Sequence, residues 1–367
     1  MSEPALRIAL AQVDLLVGDA EGNADRVLAM AERAAGADLV IFPELTLAGY
    51  PPEDLLFHRG FRHRIEAALA RCTTAHADAA TSPALLLGFP EYTDEGIYNT
   101  VVWLAGGSER ARYRKCRLPN YGVFDEQRYF ARGSTATVVE HAGFRLGLLI
   151  CEDLWQDGPV AAARAAGAEI LLVTNASPYQ QGKQAQREAL LRRRALESGL
   201  PIIYVNLVGG QDELVFDGQS VVVDRAGEVV LRSVAFEEAL DLVEFHRTPE
   251  GRADALRGAV APLMGEVEDV YRALVLGVRD DVGKHRFPGV VLGLSGGIDS
   301  ALTLAIAVDA LGAEKVQAVM MPSRYTAQMS LDDAAEQART LGVKNSVISI
   351  ETMFETALAA LREEFAG

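Results

Sequence analysis

The sequence predicts an α/β protein built as two consecutive units. Strand and helix signals alternate over the first 240 residues, and hairpin signals interrupt them near residues 98–113 and 219–232. Together these argue for a mixed sheet with helices packed outside, rather than a purely parallel one. A separate strand–loop–helix pattern opens at Val290, and 367 residues are enough for two cores.

The elements follow in order. Residues 6–12 read as a strand, and residues 23–35 place Val27, Met30, Ala31 and Ala34 at helical spacing before Gly36. Apolar runs at 38–42, 84–89 and 144–150 read as buried strands, the first ending at Pro43-Glu44 and the third at Cys151. Residues 159–167 read as helix, 169–174 as strand, 184–198 as a basic helix stopped by Gly199, and 201–208 as strand. Val221–Val223, the turn Asp224-Arg225-Ala226-Gly227 and Val229–Leu231 make a hairpin. The first domain is thus placed at 1–245. The polar, punctuated stretch from His246 reads as a linker over 246–262. The second domain is placed at 263–367, opening with an amphipathic helix over 263–282 whose apolar face carries Val267, Val270, Tyr271, Leu274 and Val278.

Composition narrows the function classes. Hydrophobic residues make up 49% and charged residues 23%, as in soluble globular protein. Lys plus Arg is 35 and Asp plus Glu is 51, a net charge of −16, which disfavours general nucleic-acid binding. The three cysteines, Cys72, Cys116 and Cys151, show no CxxC spacing, which argues against a disulfide framework or a zinc site. Met1-Ser2-Glu3-Pro4 runs straight into a strand with no basic and apolar leader, and no stretch of about 18 apolar residues occurs. These features place the chain in the cytoplasm, off the membrane.

Three strand ends carry chemistry. Cys151 follows Leu148-Leu149-Ile150, where the chain must turn; a thiol there is held rigidly and needs a nearby base or cation to react near neutrality. Glu44 caps Ile41-Phe42-Pro43, where partial desolvation suits a carboxylate to base work. Lys115, in Tyr113-Arg114-Lys115-Cys116-Arg117-Leu118-Pro119, offers an ammonium for a thiolate and an oxyanion. Taken singly, each also suits an ordinary core cysteine, surface glutamate or basic edge strand.

The set FPE…YRKCRLP…ICED, in this order, resembles the nitrilase superfamily over about residues 1–240. The resemblance implies an αββα sandwich with Glu44 as general base, Lys115 as oxyanion and thiolate stabiliser, and Cys151 as nucleophile. Glu152 is a weaker candidate for orienting the amide. Residues 118–126, Asn175–Tyr179 with Gly182-Lys183, and 206–218 are similar to the glutaminase half of glutamine-dependent NAD synthetases. That similarity implies that Tyr121, Ser177 and Lys183 contact L-glutamine.

Residues 290–312 read strand, loop, helix around Gly293-Leu294-Ser295-Gly296-Gly297-Ile298-Asp299-Ser300. Glycines admit backbone N–H groups to an anion and a helix N-terminus favours it, which makes a phosphate cradle. It is neither a Walker A loop nor a dinucleotide fingerprint. The pattern SGGxDS resembles the loop of ATP pyrophosphatases and implies the start of a Rossmann-like domain that binds ATP with Mg2+ through residues 293–300. Met321-Pro322-Ser323-Arg324-Tyr325-Thr326 is expected to line the same nucleotide pocket.

Both halves together imply the family reaction: glutamine is hydrolysed, and its ammonia amidates deamido-NAD+ to NAD+ at the cost of ATP, releasing AMP and pyrophosphate. The family also implies a homo-oligomer, with the basic helix 184–198 available to an interface. From Val290 to Gly367 the chain offers about three strands of a sheet that usually needs five. The expectation is therefore an incomplete second domain with an exposed sheet edge, and a chain that keeps amide hydrolysis without making NAD+. The alternative is a stand-alone nitrilase-type amidase. A non-catalytic scaffold and a glutamine amidotransferase of another glutaminase fold fit the three strand-end residues less well.

Overall fold

The computed structural model describes residues 5–75 and 82–365, so the N-terminal Met1-Ser2-Glu3-Pro4 reading lies outside the described residues. The described chain divides into two compact units between Glu266 and Val267. In the first unit, β1 (Leu6–Gln12), α1 (Ala20–Arg33), β2 (Leu39–Ile41), α2 (Arg59–Ala75), β3 (Ala84–Tyr92), β4 (Ile97–Ala105) and β5 (Ser108–Arg114) come first. Then follow α3 (Glu126–Tyr129), β6 (Val138–His141), β7 (Phe144–Ile150), α4 (Glu152–Trp155), α5 (Pro159–Ala165), β8 (Ile170–Asn175) and α6 (Lys183–Ser198). The unit ends with β9 (Ile202–Asn206), β10 (Val208–Gln211), β11 (Leu214–Asp217), β12 (Val221–Val223), β13 (Val229–Arg232), β14 (Ala239–Arg247) and β15 (Ala253–Ala255).

Two mixed sheets result, ordered β15-β14-β1-β2-β3-β4-β5 and β13-β12-β9-β8-β7-β6. Strand alternation explains how they stack. Leu6, Ile8 and Leu10 of β1 join Leu148, Ile150, Val173 and Tyr204 of the other sheet in one buried core. Ala9 and Ala11 face the opposite way, onto Val27 and Met30 of α1 and Phe61 and Ile65 of α2. Val160 of α5 and Leu190 and Leu191 of α6 cover the second sheet. This is the αββα sandwich expected from the sequence. Both expected hairpins are present, with Trp103 opposite Ala111 and Val222 opposite Leu231.

Three expectations need correction. Residues 246–262 are not a free linker: β14 runs to Arg247, and Ala253–Ala255 returns antiparallel beside it. The Pro249-Glu250-Gly251 signal is the hairpin turn, with Gly251 at φ +75° and its N–H bonded to the Thr248 carbonyl at 2.8 Å. The stretch reads as polar because β15 has a single neighbour at the sheet edge. The strand expected over 201–208 stops at Asn206, and Val208 begins a separate two-stranded ribbon with β11.

The second unit holds α7 (Glu266–Lys284), β16 (Val290–Gly293), α8 (Ile298–Leu311), β17 (Val316–Met320), α9 (Gln328–Thr340), β18 (Lys344–Val347) and α10 (Glu351–Leu361). Its three strands form one parallel sheet, β16-β17-β18, around Leu304, Ala307, Ala318 and Ala334. The third correction concerns α7. Its buried residues are Ala273, Leu276, Asp280 and Val282, whereas Val267, Val270 and Leu274 are exposed. The stripe that periodicity picks out is thus not the one that the described residues cover.

Candidate active site

Cys151, Glu44 and Lys115 come from three strand ends in two sheets. Cys151 directly follows β7 and caps α4 with φ +43°, the sharp turn expected after Ile150. Glu44 follows β2 by three residues, and Lys115 directly follows β5. The turn at Glu44 depends on Gly88 of the neighbouring strand: a Cβ there would lie 2.5 Å from the Leu45 backbone nitrogen.

All three side chains are buried, each 4% exposed or less. Lys115 Nζ donates to Glu44 Oε1 at 2.6 Å and to Glu126 Oε1 at 2.8 Å. Asn99 Nδ2 donates to Glu44 Oε1 at 2.7 Å and the Ala176 N–H to Glu44 Oε2 at 3.1 Å, so the carboxylate is aimed from two sides. Tyr50 Oη donates to Glu126 Oε1 at 2.9 Å. Sequence reasoning missed Glu126. It sits in the stretch compared with glutaminases, but nothing local distinguishes it from its neighbours Asp125 and Gln127; only the fold brings it to Lys115.

Charge states follow from these contacts. Burial disfavours the Lys115 ammonium, but Glu126 and Glu44 outweigh this and hold it protonated. Burial lifts the Glu126 carboxyl above the usual carboxylate range, against the pull of Lys115. Burial and the Glu44 charge push the Cys151 thiol up, while Lys115 draws it down. Lys115 and Asn99 together hold the Glu44 carboxylate in place.

A cavity of about 440 Å³ opens on Cys151 and is lined by Tyr121, Phe124, Glu152, Ser177, Lys183 and Glu213, among others. Tyr121, Ser177 and Lys183, singled out in the sequence, thus share one cavity with Cys151. Tyr121 Oη donates to Glu152 Oε2 at 2.9 Å, and Lys183 Nζ lies 4.4 Å from the Trp155 ring centre. Burial and nearby Arg187 lower the Lys183 pKa. A roomier cleft of about 520 Å³ is lined by Asp157, Arg164, Arg194 and Glu197. Arg194 pairs there with Asp157 and Glu197, and no cysteine lines it.

Arg187 backs the Ser177-Pro178 segment that lines the cavity on Cys151. Fully buried, it donates to Asp217 Oδ2 at 2.7 Å, to Ser177 Oγ at 3.2 Å and to the Ser177 and Pro178 carbonyls at 2.8 and 3.1 Å. Asn206, where β9 breaks off, takes the Ser177 N–H at 2.9 Å. Arg187→Met leaves the buried Asp217 carboxylate without its counter-charge and the Pro178 carbonyl without the guanidinium donor. The expected cost is about 3–5 kcal/mol. Both tryptophans, Trp103 and Trp155, lie in the first unit, so its unfolding in urea can be followed by their fluorescence.

In the second unit, Gly293 ends β16, Leu294 is buried, and Ser295-Gly296-Gly297 form an exposed loop before α8. Gly296 has φ +81°, and a Cβ on it would meet the Ser330 carbonyl oxygen at 2.1 Å. The Gly297 N–H donates to Ser295 Oγ at 3.2 Å and Ser300 Oγ to the Gly297 carbonyl at 3.0 Å. The 14-residue α8 begins at Ile298 with no side-chain cap, so a compact glycine loop ends in uncapped helix N–H groups, which fits a phosphate. Residues 321–326 follow the adjacent parallel strand, at the same end of the sheet. Arg324 there pairs with Glu351 and with Glu355. Among the described residues no group of three or more His, Cys, Asp or Glu is placed to hold a metal ion.

A buried acid, a lysine and an elbow cysteine at the strand ends of an αββα sandwich define a cysteine carbon–nitrogen hydrolase site. Comparison agrees: the carbon-nitrogen hydrolase model matches residues 7–248 and the NAD synthase model residues 270–366. The glutamine-dependent NAD(+) synthetase of Xylella fastidiosa (Temecula1) is 49% identical over 99% of this chain and 66% of its own length. A solved structure of the glutamine-dependent NAD+ synthetase from Acinetobacter baumannii, in complex with adenosine diphosphate, matches with TM-score 0.93 and 41% identity over 98% of this chain and 68% of that one. An amidase from Nesterenkonia sp. matches with TM-score 0.59 and 30% identity over 67% of this chain and 92% of that one. The chain belongs to the glutamine-dependent NAD(+) synthetase family. It spans just under two thirds of the Xylella relative. The match of residues 270–366 to NAD synthase disfavours the stand-alone amidase reading.

Proposed function

We propose that the first unit hydrolyses L-glutamine and that the whole protein uses the ammonia to convert deamido-NAD+ to NAD+ with ATP. The observation that carries the first half is the buried Glu44–Lys115–Glu126 cluster, whose charges act on the Cys151 thiol at one end of the cavity. Glu44 takes the thiol proton as Cys151 Sγ attacks the amide carbon, and Lys115 stabilises the oxyanion. Glu44 returns the proton to the leaving nitrogen, and ammonia departs from a γ-glutamyl thioester. Water then attacks, Glu44 removes its proton, and glutamate leaves with the thiol restored. Lys183 is suited to the substrate carboxylate, with Tyr121 and Ser177 as further contacts. Covalent addition of an acetamide moiety at the active-site cysteine of the Nesterenkonia amidase supports this role for Cys151.

In the second half, residues 293–300 would hold the phosphates of ATP, with Mg2+ supplying charge neutralisation there. ATP adenylates the deamido-NAD+ carboxylate and releases pyrophosphate; ammonia then displaces AMP. The reading places the enzyme in the cytoplasm as a homo-oligomer, free of nucleic acid. Among the described residues no helix is long and apolar enough to cross a membrane.

The test is glutamate release from glutamine by the purified chain, with iodoacetamide inactivation followed in parallel. Release, together with protection of Cys151 by millimolar glutamine, supports the reading. Alkylation of Cys151 that glutamine does not slow, with no glutamate formed, would assign the cavity to another amide.

A further inference from the structure

Asp153 is buried within the turn that carries Cys151, and its carboxylate accepts four hydrogen bonds. Oδ1 takes the backbone N–H groups of Cys116 at 3.0 Å and Arg117 at 2.8 Å. Oδ2 takes Tyr113 Oη at 2.9 Å and the Ile150 N–H at 3.2 Å. Three of these donors belong to the segment that carries Lys115, flanking it on both sides. The fourth immediately precedes Cys151. The neighbouring carboxylates act elsewhere: Glu44 and Glu126 hold the tip of Lys115, and Glu152 is occupied by Tyr121 and Gln156.

We propose that Asp153 is the positioning residue of the site: one carboxylate ties the Lys115 segment of one sheet to the Cys151 elbow of the other and so sets the distance from ammonium to sulfur. The inference rests on the reading of Cys151 and Lys115 given above. Chemistry supports it. Burying an ionised carboxylate is costly, and here burial lifts the Asp153 pKa to about 6. A neutral amide would fill the same space at less cost if the role were packing alone. Two backbone N–H groups, one N–H from the opposite sheet and a phenol call instead for an acceptor on every lone pair, which an asparagine cannot supply. Its NH2 would face the Ile150 N–H donor to donor, and the two segments would part.

A shift of about 1 Å in a reacting group costs on the order of 10²-fold in rate. Asp153→Asn should therefore lower kcat for glutamate release by about 10²-fold with KM changed less than about threefold. Alkylation of Cys151 should also move to higher pH, because a displaced Lys115 no longer favours the thiolate. Tyr113→Phe removes one donor without introducing a clash and should move both readouts in the same direction by a smaller amount. Alkylation at Cys151, located by peptide mass with Cys151→Ala as the blank, does not depend on which amide is the substrate. It therefore separates failure of this inference from failure of the glutamine reading. Folded Asp153→Asn with wild-type kcat and an unmoved alkylation profile would overturn it. If Asp153→Asn does not fold, an unmoved profile in Tyr113→Phe would do the same.

Discussion

Cys151→Ala should reduce glutamate release to background, a fall of at least about 10⁴-fold, while the two tryptophans report an unchanged fold. The substitution removes a single buried sulfur at a position whose φ of +43° already strains any residue with a Cβ, so backbone geometry gives alanine no new penalty. What disappears is the only atom on the cavity able to form a thioester. Cys116, one residue from Lys115, cannot take over: its sulfur is turned toward Tyr113 and the Arg114 carbonyl, and it does not line the reactive cavity. Cys72 is buried on α2 in the core on the outer sheet face and does not line that cavity. Glutamate production in a reaction with purified Cys151→Ala at rates near the wild type would refute the proposed mechanism. Binding is a separate matter. Tyr121, Ser177 and Lys183 remain in place, so isothermal titration with glutamine should still detect binding, and a loss of binding would mean that Cys151 shapes the cavity as well as reacting in it.

Much of this site was legible in the sequence because its parts end strands. An apolar run that stops abruptly marks where a side chain leaves the sheet, and Glu44 and Cys151 stand at such stops; Lys115 follows a basic strand and is singled out by the family resemblance. Glu126 stands in a one-turn helix after an irregular loop, where no periodicity singles it out; its role appears only when Lys115 is seen to bridge two carboxylates. Asp153 was legible as a member of the Cys151 turn but not as a tie between sheets, since its partners lie 36, 37 and 40 residues away as well as three. Arg187 read as one charge of a basic helix, yet it is the most buried cation on α6, and the Ser177 loop is built on it. The errors share a cause. Local polarity at 246–262 and local apolarity on α7 each suggested exposure or burial, and tertiary pairing decided otherwise in both places.

Lys115→Met should cost activity and stability together, and the two losses should separate with pH. Its ammonium is fully buried between Glu44 and Glu126, both themselves buried. Removing one oxyanion donor alone costs about 10²–10³-fold in rate, and here the partner that aims the base is lost too, so the fall should exceed about 10³-fold. Two buried carboxylates are then left without a counter-charge, which destabilises the first unit by about 3–5 kcal/mol at neutral pH. The sign of the pH effect follows. In the wild type, burial already lifts Glu126 while Lys115 opposes the rise; without Lys115 the Glu126 carboxyl sits higher still in the folded state than in the unfolded chain. A carboxyl raised on folding binds its proton more tightly in the native state, so its penalty is complete above the folded pKa and fades as pH falls toward the unfolded value. The stability deficit of Lys115→Met relative to wild type should thus be greatest at pH 8 and shrink steadily toward pH 5, read as the urea midpoint of tryptophan fluorescence. A deficit independent of pH would mean that Lys115 contributes packing rather than charge. Lys115→Arg distinguishes charge from shape: the planar fork keeps the charge but does not fit a space closed around one ammonium, so it should restore part of the stability at pH 8 and little of the rate.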